Sequence, residues 1–209
     1  MSRSRQRPYK VLAVALFLGA GTAGVVGGQG RGGGGPVGPQ ATSSVGAPRF
    51  EYVGPTSAGR ISAAAAVAGK PGVYYAGAAS GGVWKSADGG ATWKPTFDNE
   101  TSQAIGALAV SASNPNIVYV ATNEAVHKTR DGGATWEQFQ AFTARRVTTL
   151  AIDPKLPATV YAGTMGDAIY KSPDGGQHWL PHNVGLKEHV SFVNEIIFHP
   201  DNTELIYLA

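Results

Sequence analysis

The sequence predicts an all-β chain built from a repeated four-stranded unit, and three observations carry that prediction. One motif recurs at a fixed 43-residue step, each step holds four short apolar runs separated by turn residues, and the composition favours turns over charge. Of 209 residues, 29 are Gly and 13 are Pro, while only 15% are charged, a balance suited to short strands joined by tight turns. A helical repeat of this length needs a 3.6-residue apolar period and few internal glycines; the sequence has neither.

The anchor of the repeat is an Asp-Gly-Gly turn followed by Trp. It occurs as Ser86–Trp93 (SADGGATW), Thr129–Trp136 (TRDGGATW) and Ser172–Trp179 (SPDGGQHW), so Asp88, Asp131 and Asp174 stand 43 residues apart. First strands are expected at Ile61–Val67, Ala107–Val110 and Leu150–Ile152, and second strands at Val73–Gly77, Ile117–Thr122 and Thr159–Thr164. Third strands are expected at Val83–Ser86, Val126–Thr129 and Ile169–Ser172, and each Trp opens a fourth. Asn114-Pro115 and Asp153-Pro154 mark the turn between first and second strands. Asp-Gly-Gly between third and fourth strands is a strong hairpin signal. Four strands in roughly 40–45 residues is the size of one propeller blade.

The fold class is therefore an all-β propeller with blades at about 54–103, 104–146 and 147–190, and a partial fourth at 191–209. The fourth starts at Val193–Pro200 (VNEIIFHP) and reaches its second strand near Leu205–Ala209. Phe50–Val53 (FEYV) reads as a strand with no blade of its own. Three and a half blades fall short of the ~4–8 that close a ring, so the chain is expected to be an N-terminal fragment whose missing partner is the rest of its own ring. Open edges at either end would invite association.

Ahead of the repeats, Arg3, Arg5, Arg7 and Lys10 precede the apolar run Val11–Ala20, and Gly21-Thr22-Ala23 offers small residues for cleavage. Residues 1–23 read as a signal peptide, or as an N-terminal anchor if uncleaved, and 24–48 as a Gly/Pro-rich linker. The folded part spans 49–209, and the expected location is secreted, periplasmic or cell envelope. Without the four leader cations the count is 13 basic against 14 acidic, so the net charge of +3 is no argument for nucleic acid. With no cysteine, disulfides, thiolate metal sites and lipid attachment at cysteine are excluded.

The chemistry of the repeated motif is that of a turn. A short carboxylate accepts backbone N–H groups two residues on, glycines take positive φ, a hydroxyl bonds across the hairpin, and the Trp packs beneath it. All three copies match the pattern Ser/Thr-x-Asp-x-Gly-x-x-Trp, at Ser86, Asp88, Gly90, Trp93; at Thr129, Asp131, Gly133, Trp136; and at Ser172, Asp174, Gly176, Trp179. This resembles the Asp-box, or bacterial neuraminidase repeat. The resemblance implies a structural role for these twelve residues, on outer hairpins remote from the ligand-binding central face. Gly54–Ser62, Tyr75–Trp93, Ile105–Val110 and Asn114–Tyr119 are further similar to exported bacterial proteins with sortilin-type propellers, often labelled glycosyl hydrolases. That likeness implies an interaction module for a protein, peptide or glycan. The alternative it leaves is the N-terminal portion of a glycoside hydrolase, xyloglucanase-like or sialidase-like. Photosystem-associated stability factors share such propellers.

Candidate site residues are few. Arg60 is loosely like a sialidase carboxylate-binding arginine, without two further arginines at equivalent positions. Xyloglucanase chemistry needs a carboxylate pair about 6.5–9.5 Å apart. Asp98, Glu100, Glu124, Asp153, Asp167, Glu188 and Glu195 lie outside the repeated turns, with Asp153 expected to cap its own turn, and no spacing selects a pair. Ser80 lies in a Gly-rich turn rather than a nucleophile elbow. His178 and His182, four apart on an extended segment, stand about 13 Å apart and do not share a metal. Asn99-Glu100-Thr101 matches a glycosylation sequon. No cofactor and no metal is expected.

Overall fold

The computed structural model of the protein describes residues 11–13, 54–55, 58–139, 146–186, 190 and 192–209. The leader apart from Val11–Ala13, the linker, the Phe50–Val53 strand and Glu188 lie outside the described residues.

Each repeat folds into one antiparallel sheet whose strands follow in chain order. The first holds β2 (Ile61–Ala66), β3 (Tyr74–Ala78), β4 (Val83–Ser86) and β5 (Lys94–Pro95). The second holds β6 (Ile105–Val110), β7 (Val118–Thr122), β8 (Val126–Thr129) and β9 (Glu137–Phe139). The third holds β10 (Val147–Ile152), β11 (Val160–Thr164), β12 (Ile169–Ser172) and β13 (Leu180–Pro181). A partial fourth pairs β14 (Ile196–Phe198) with β15 (Ile206–Leu208). The first strands of successive sheets pack side by side. This is a β-propeller of three four-stranded blades and a partial fourth.

Two details differ from the sequence reading. Each fourth strand begins one residue after its Trp, at Lys94, Glu137 and Leu180. Beside β15, where a fourth blade would place its third strand, lies β1 (Val11–Ala13), paired in parallel and drawn from the apolar run read as part of the leader. An open strand edge accepts such an extended segment through its free N–H and C=O groups.

The core lies between blades. Tyr119, Val126, Leu150 and Val160 form one buried cluster across the second and third blades, and Tyr75, Phe97, Ile105 and Val118 another across the first and second. Each first strand carries a bulge near its start, between Ile61 and Ala63, Ile105 and Ala107, and Val147 and Thr149. The residues at these bulges stitch the blades together. Ser62 Oγ donates to the Ile105 carbonyl of the next blade at 2.6 Å, and Thr148 Oγ1 donates to the Val193 carbonyl. In the middle blade the position is Gly106, where a Cβ would stand 2.6 Å from the Val147 carbonyl oxygen. There the backbones meet directly, and only glycine fits.

Candidate functional site

The three Asp-Gly-Gly turns share one geometry. The Ser86, Thr129 and Ser172 hydroxyls donate to the Asp88, Asp131 and Asp174 carboxylates at 2.7–2.8 Å and accept the N–H of Gly90, Gly133 and Gly176 at 2.8–2.9 Å. Each carboxylate accepts the N–H of the residue four on, Thr92, Thr135 or His178, at 2.9 Å, further along than the two residues expected. Its second oxygen accepts the Thr92 or Thr135 hydroxyl at 2.5 Å, and in the third turn meets His178 Nδ1 at 2.6 Å. Both glycines of every turn have φ between +72° and +97°, which a Cβ would strain. These bonds hold Asp88 down at about 2, chiefly through the Thr92 hydroxyl. For Asp174 burial pushes upward, but the His178 and Ser172 bonds win and leave it at about 2. Such carboxylates are ionised and fully engaged.

Between blades the turn is gripped from the side. Tyr75 Oη donates to the Gly132 carbonyl at 2.9 Å and Lys85 Nζ to the same oxygen at 2.8 Å. One blade on, Tyr119 Oη and Lys128 Nζ both donate to the Gly175 carbonyl at 3.0 Å. Tyr and Lys face each other in the ladder, with the ammonium 5.3 and 4.9 Å from the ring centroid. The sequence shows both residues recurring but not what they hold. The Trp rings are half-buried rather than deeply buried. Trp93 and Trp179 donate to the carbonyls of Gly90 and Gly176 in their own turns, whereas Trp136 Nε1 reaches Thr96 of the preceding blade at 2.6 Å.

Candidate binding residues gather at the opposite end of the sheets. Ile61 pairs with Ala78, Ile105 with Thr122 and Val147 with Thr164, so the start of each first strand lies beside the end of each second strand. Ser86 pairs with Tyr74 and Tyr74 with Ala66, which puts the Asp-Gly-Gly turn at the far end. Arg60 stands exposed just ahead of β2, its carbonyl accepting the Ala79 N–H at 2.8 Å. Arg146 stands exposed just ahead of β10, its carbonyl accepting the Met165 N–H at 2.9 Å. The sequence did not place two further arginines equivalent to Arg60; the shared hydrogen bond makes Arg146 one equivalent. Ala104 occupies this place in the second blade. Phe192 holds it ahead of the fourth, bridged to Met165, and both side chains are 43% exposed.

Two of the seven acids converge on the same end. Glu124 and Asp167 lie in the equivalent β7–β8 and β11–β12 loops, where Thr122 and Thr164 hydroxyls accept their backbone N–H groups at 3.2 Å. The others disperse. Asp153 caps its own turn by accepting the N–H groups of Lys155 and Leu156, as expected. Glu195 is exposed beside Ala209. Asp98 and Asn99 line an open cleft of about 680 Å³ between the first two turns. Glu100 turns inward onto His127. His178 serves its turn and His182 packs on Tyr161 with ring centroids 5.8 Å apart, so the two are separate. Among the described residues no cluster of His, Asp and Glu could hold a metal.

A blade repeat stitched along its inner strands and latched at its turns is a propeller architecture, and the solved structures this chain is similar to share it. No protein-family model matches the sequence, and no curated protein does. The GH74 enzyme of Niastella koreensis superposes with a TM-score of 0.61 at 22% identity, over 71% of this chain and 26% of that one. The GH74 xyloglucanase of Xanthomonas campestris gives 0.55 at 19%, over 66% of this chain and 25% of that one. YCF48 bound to D1 peptide gives 0.52 at 17%, over 67% of this chain and 45% of that one. The chain thus spans about a quarter of the GH74 enzymes and under half of YCF48. At these identities the likeness is one of fold.

Proposed function

We propose that the chain is an exported Asp-box propeller segment of the sortilin-like kind, and that the end carrying Arg60 and Arg146 binds a protein or peptide, or an acidic glycan. One observation carries the reading: two arginines at equivalent positions in the first and third blades stand exposed at one end of the sheets. Guanidinium groups favour carboxylate ligands because they donate two parallel hydrogen bonds. Exposed Met165 and Phe192 beside Arg146 add apolar contact, and a mixed patch of this kind marks an interaction surface. The turn acids are engaged within their own turns at the other end. YCF48, of similar fold, is bound to a peptide in its structure.

Binding of the full chain to an acidic-peptide array tests this. Arg60→Ala and Arg146→Ala should each weaken binding about tenfold, the loss of one charge-assisted pair. Unchanged binding in both variants overturns the reading. Export is tested by the N-terminus of the cell-envelope or medium fraction, which should begin at residue 24.

The second reading, a glycoside hydrolase segment, is favoured by Glu124 and Asp167 in equivalent loops of adjacent blades. Reducing-sugar release from xyloglucan, abolished by Glu124→Gln or Asp167→Asn, would support it. Peptide binding without sugar release would exclude it.

A further inference from the structure

The third strands of the three blades carry Trp84, His127 and Tyr170 at one repeated position, just ahead of the lysine. Trp84 and Tyr170 are half-buried, whereas the imidazole of His127 is 1% exposed. What covers it is the crossover from first to second blade, residues 96–103. Phe97, itself 1% exposed, meets the imidazole edge-on with ring centroids 4.9 Å apart. The crossover is braced on that contact. Glu100 N–H and Gln103 Nε2 donate to the Phe97 carbonyl at 3.1 and 2.9 Å, and Gln103 Nε2 also donates to the Glu100 carbonyl at 2.8 Å. Glu100 Oε2 then sits 3.2 Å from His127 Nδ1.

We propose that His127, buried under Phe97 and Glu100, is an acid-sensitive latch: the uncharged ring holds the 96–103 crossover onto the second blade at neutral pH, and its protonation lets the crossover loosen in mildly acidic solution. Among the described residues the charged groups that act on the imidazole are Glu100 from the crossover and Glu124 from the β7–β8 loop. The flanking strands β7 and β9 present the uncharged Val120 and Gln138. Among the described residues neither ring nitrogen completes a hydrogen bond: Nδ1 meets Glu100 only as a charge contact, and Nε2 meets no acceptor. A proton placed on this ring therefore creates a buried cation with neither N–H in a hydrogen bond. Removing such a charge from water costs more than one nearby carboxylate returns.

Burial accordingly pushes His127 below its ordinary 6.5, against the opposing pull of Glu100. The loosened state, in which the ring meets water, takes the proton at about 6.5. The closed state is thus fully favoured above 6.5 and loses ground as pH falls below it, by up to about tenfold per pH unit. The carboxylates of Asp88 and Asp174, held at about 2, remain ionised throughout that window. The latch responds before the turns do. Its crossover carries Asp98 and Asn99 of the cleft and the Thr96 carbonyl that receives Trp136, so release reaches the joint between two blades.

Hydrogen exchange of the full chain between pH 7.5 and 5, corrected for intrinsic exchange, tests the proposal. Protection of 97–103 should fall by up to about tenfold per pH unit below 6.5 while that of 150–164 holds. In His127→Tyr, which installs the third blade's side chain, the 97–103 profile should be flat. A wild-type profile that is flat, or that 150–164 follows equally, overturns the latch. Should His127→Tyr fail to fold, the imidazole resonance of the wild-type protein decides: a midpoint below 6.5 supports the latch, and one at or above 6.5 overturns it.

Discussion

The hydroxyl of Tyr119 donates to the carbonyl of Gly175, 56 residues away, at 3.0 Å, so that one blade's second strand holds the next blade's turn. Tyr75 and Gly132 repeat the relationship one blade earlier. The Asp-Gly-Gly turn therefore works at two ranges. Its carboxylate closes a hairpin within a blade, and its first glycine carbonyl couples neighbours. Tyr119→Phe keeps the ring and removes only the donor, while Lys128 continues to serve the carbonyl. The expected loss is about 1 kcal/mol in urea unfolding, the net worth of one hydrogen bond. Burial also pushes the Tyr119 phenol up to about 12. Its contribution is complete below pH 10 and is lost as pH rises from about 10 to about 12, because the unfolded chain ionises first. Tyr119→Phe should flatten that part of the alkaline limb relative to wild type.

Gly106 marks where the middle blade is sewn to the third, and its substitution separates steric from hydrogen-bonding contributions. Ser62 and Thr148 bridge the equivalent gaps with hydroxyls. At Gly106 an added Cβ meets a backbone carbonyl oxygen at 2.6 Å, and neither backbone yields easily. Gly106→Ala should cost about 1–3 kcal/mol by overpacking. Ser62→Ala should cost about 1 kcal/mol, by leaving one carbonyl without its donor. Thermal unfolding that ranks Ser62→Ala as the more damaging would contradict this account of the stitch.

Much of this architecture is legible in the sequence because its signals are local. The apolar runs and the Asp-Gly-Gly turns each declare themselves within ten residues, their recurrence at a 43-residue step marks the blades, and the strands fall where those runs do. Partnership between blades is not local. The recurrence of Tyr75, Tyr119 and Tyr161, and of Lys85, Lys128 and Lys171, is plain, yet spacing cannot say that a Tyr–Lys pair reaches the following turn. Arg146 escaped notice for a similar reason. Two 43-residue steps separate it from Arg60, but Gln103 stands at the step between, and only the shared backbone hydrogen bond makes the equivalence plain. His127 looks like one more polar residue on a strand until the crossover closes over it. Glu124 and Asp167 could have been paired by their places after Thr122 and Thr164, a signal present in the sequence and passed over.

Trp136 should matter more than a half-buried indole ordinarily does. It packs edge-on against Phe97, with centroids 5.1 Å apart, and donates to the Thr96 carbonyl across the blade boundary. Trp136→Ala removes an aromatic contact and an interblade hydrogen bond together, and about 2–4 kcal/mol is expected, toward the lower part of the range for core aromatics because the ring is only partly covered. Trp136→Phe should recover part of that loss by restoring the ring without the N–H. Urea midpoints for the two variants provide the comparison, and equal midpoints would mean that the contact with Phe97 contributes nothing.

The acid limb tests the turns themselves. Asp88 is lowered to about 2 first by the Thr92 hydroxyl and then by the Thr92 N–H, and Asp131 is lowered by the hydroxyls of Thr129 and Thr135. A carboxylate lowered in the folded state stabilises fully above its ordinary 3.8, and that stability drains as pH falls from about 4 toward 2. Thr92→Val removes the hydroxyl while keeping the shape and the backbone N–H, so Asp88 should rise and the acid midpoint, followed by circular dichroism, should move up. The third turn offers the reciprocal experiment, since His178 Nδ1 stands where its neighbours place a threonine hydroxyl. His178→Thr should fold and keep the acid midpoint, because the hydroxyl can meet the same carboxylate oxygen, whereas His178→Ala should raise it. If His178→Thr and His178→Ala behave alike, the side chain at this position does not clasp Asp174, and the third turn is held by Ser172 and the backbone alone.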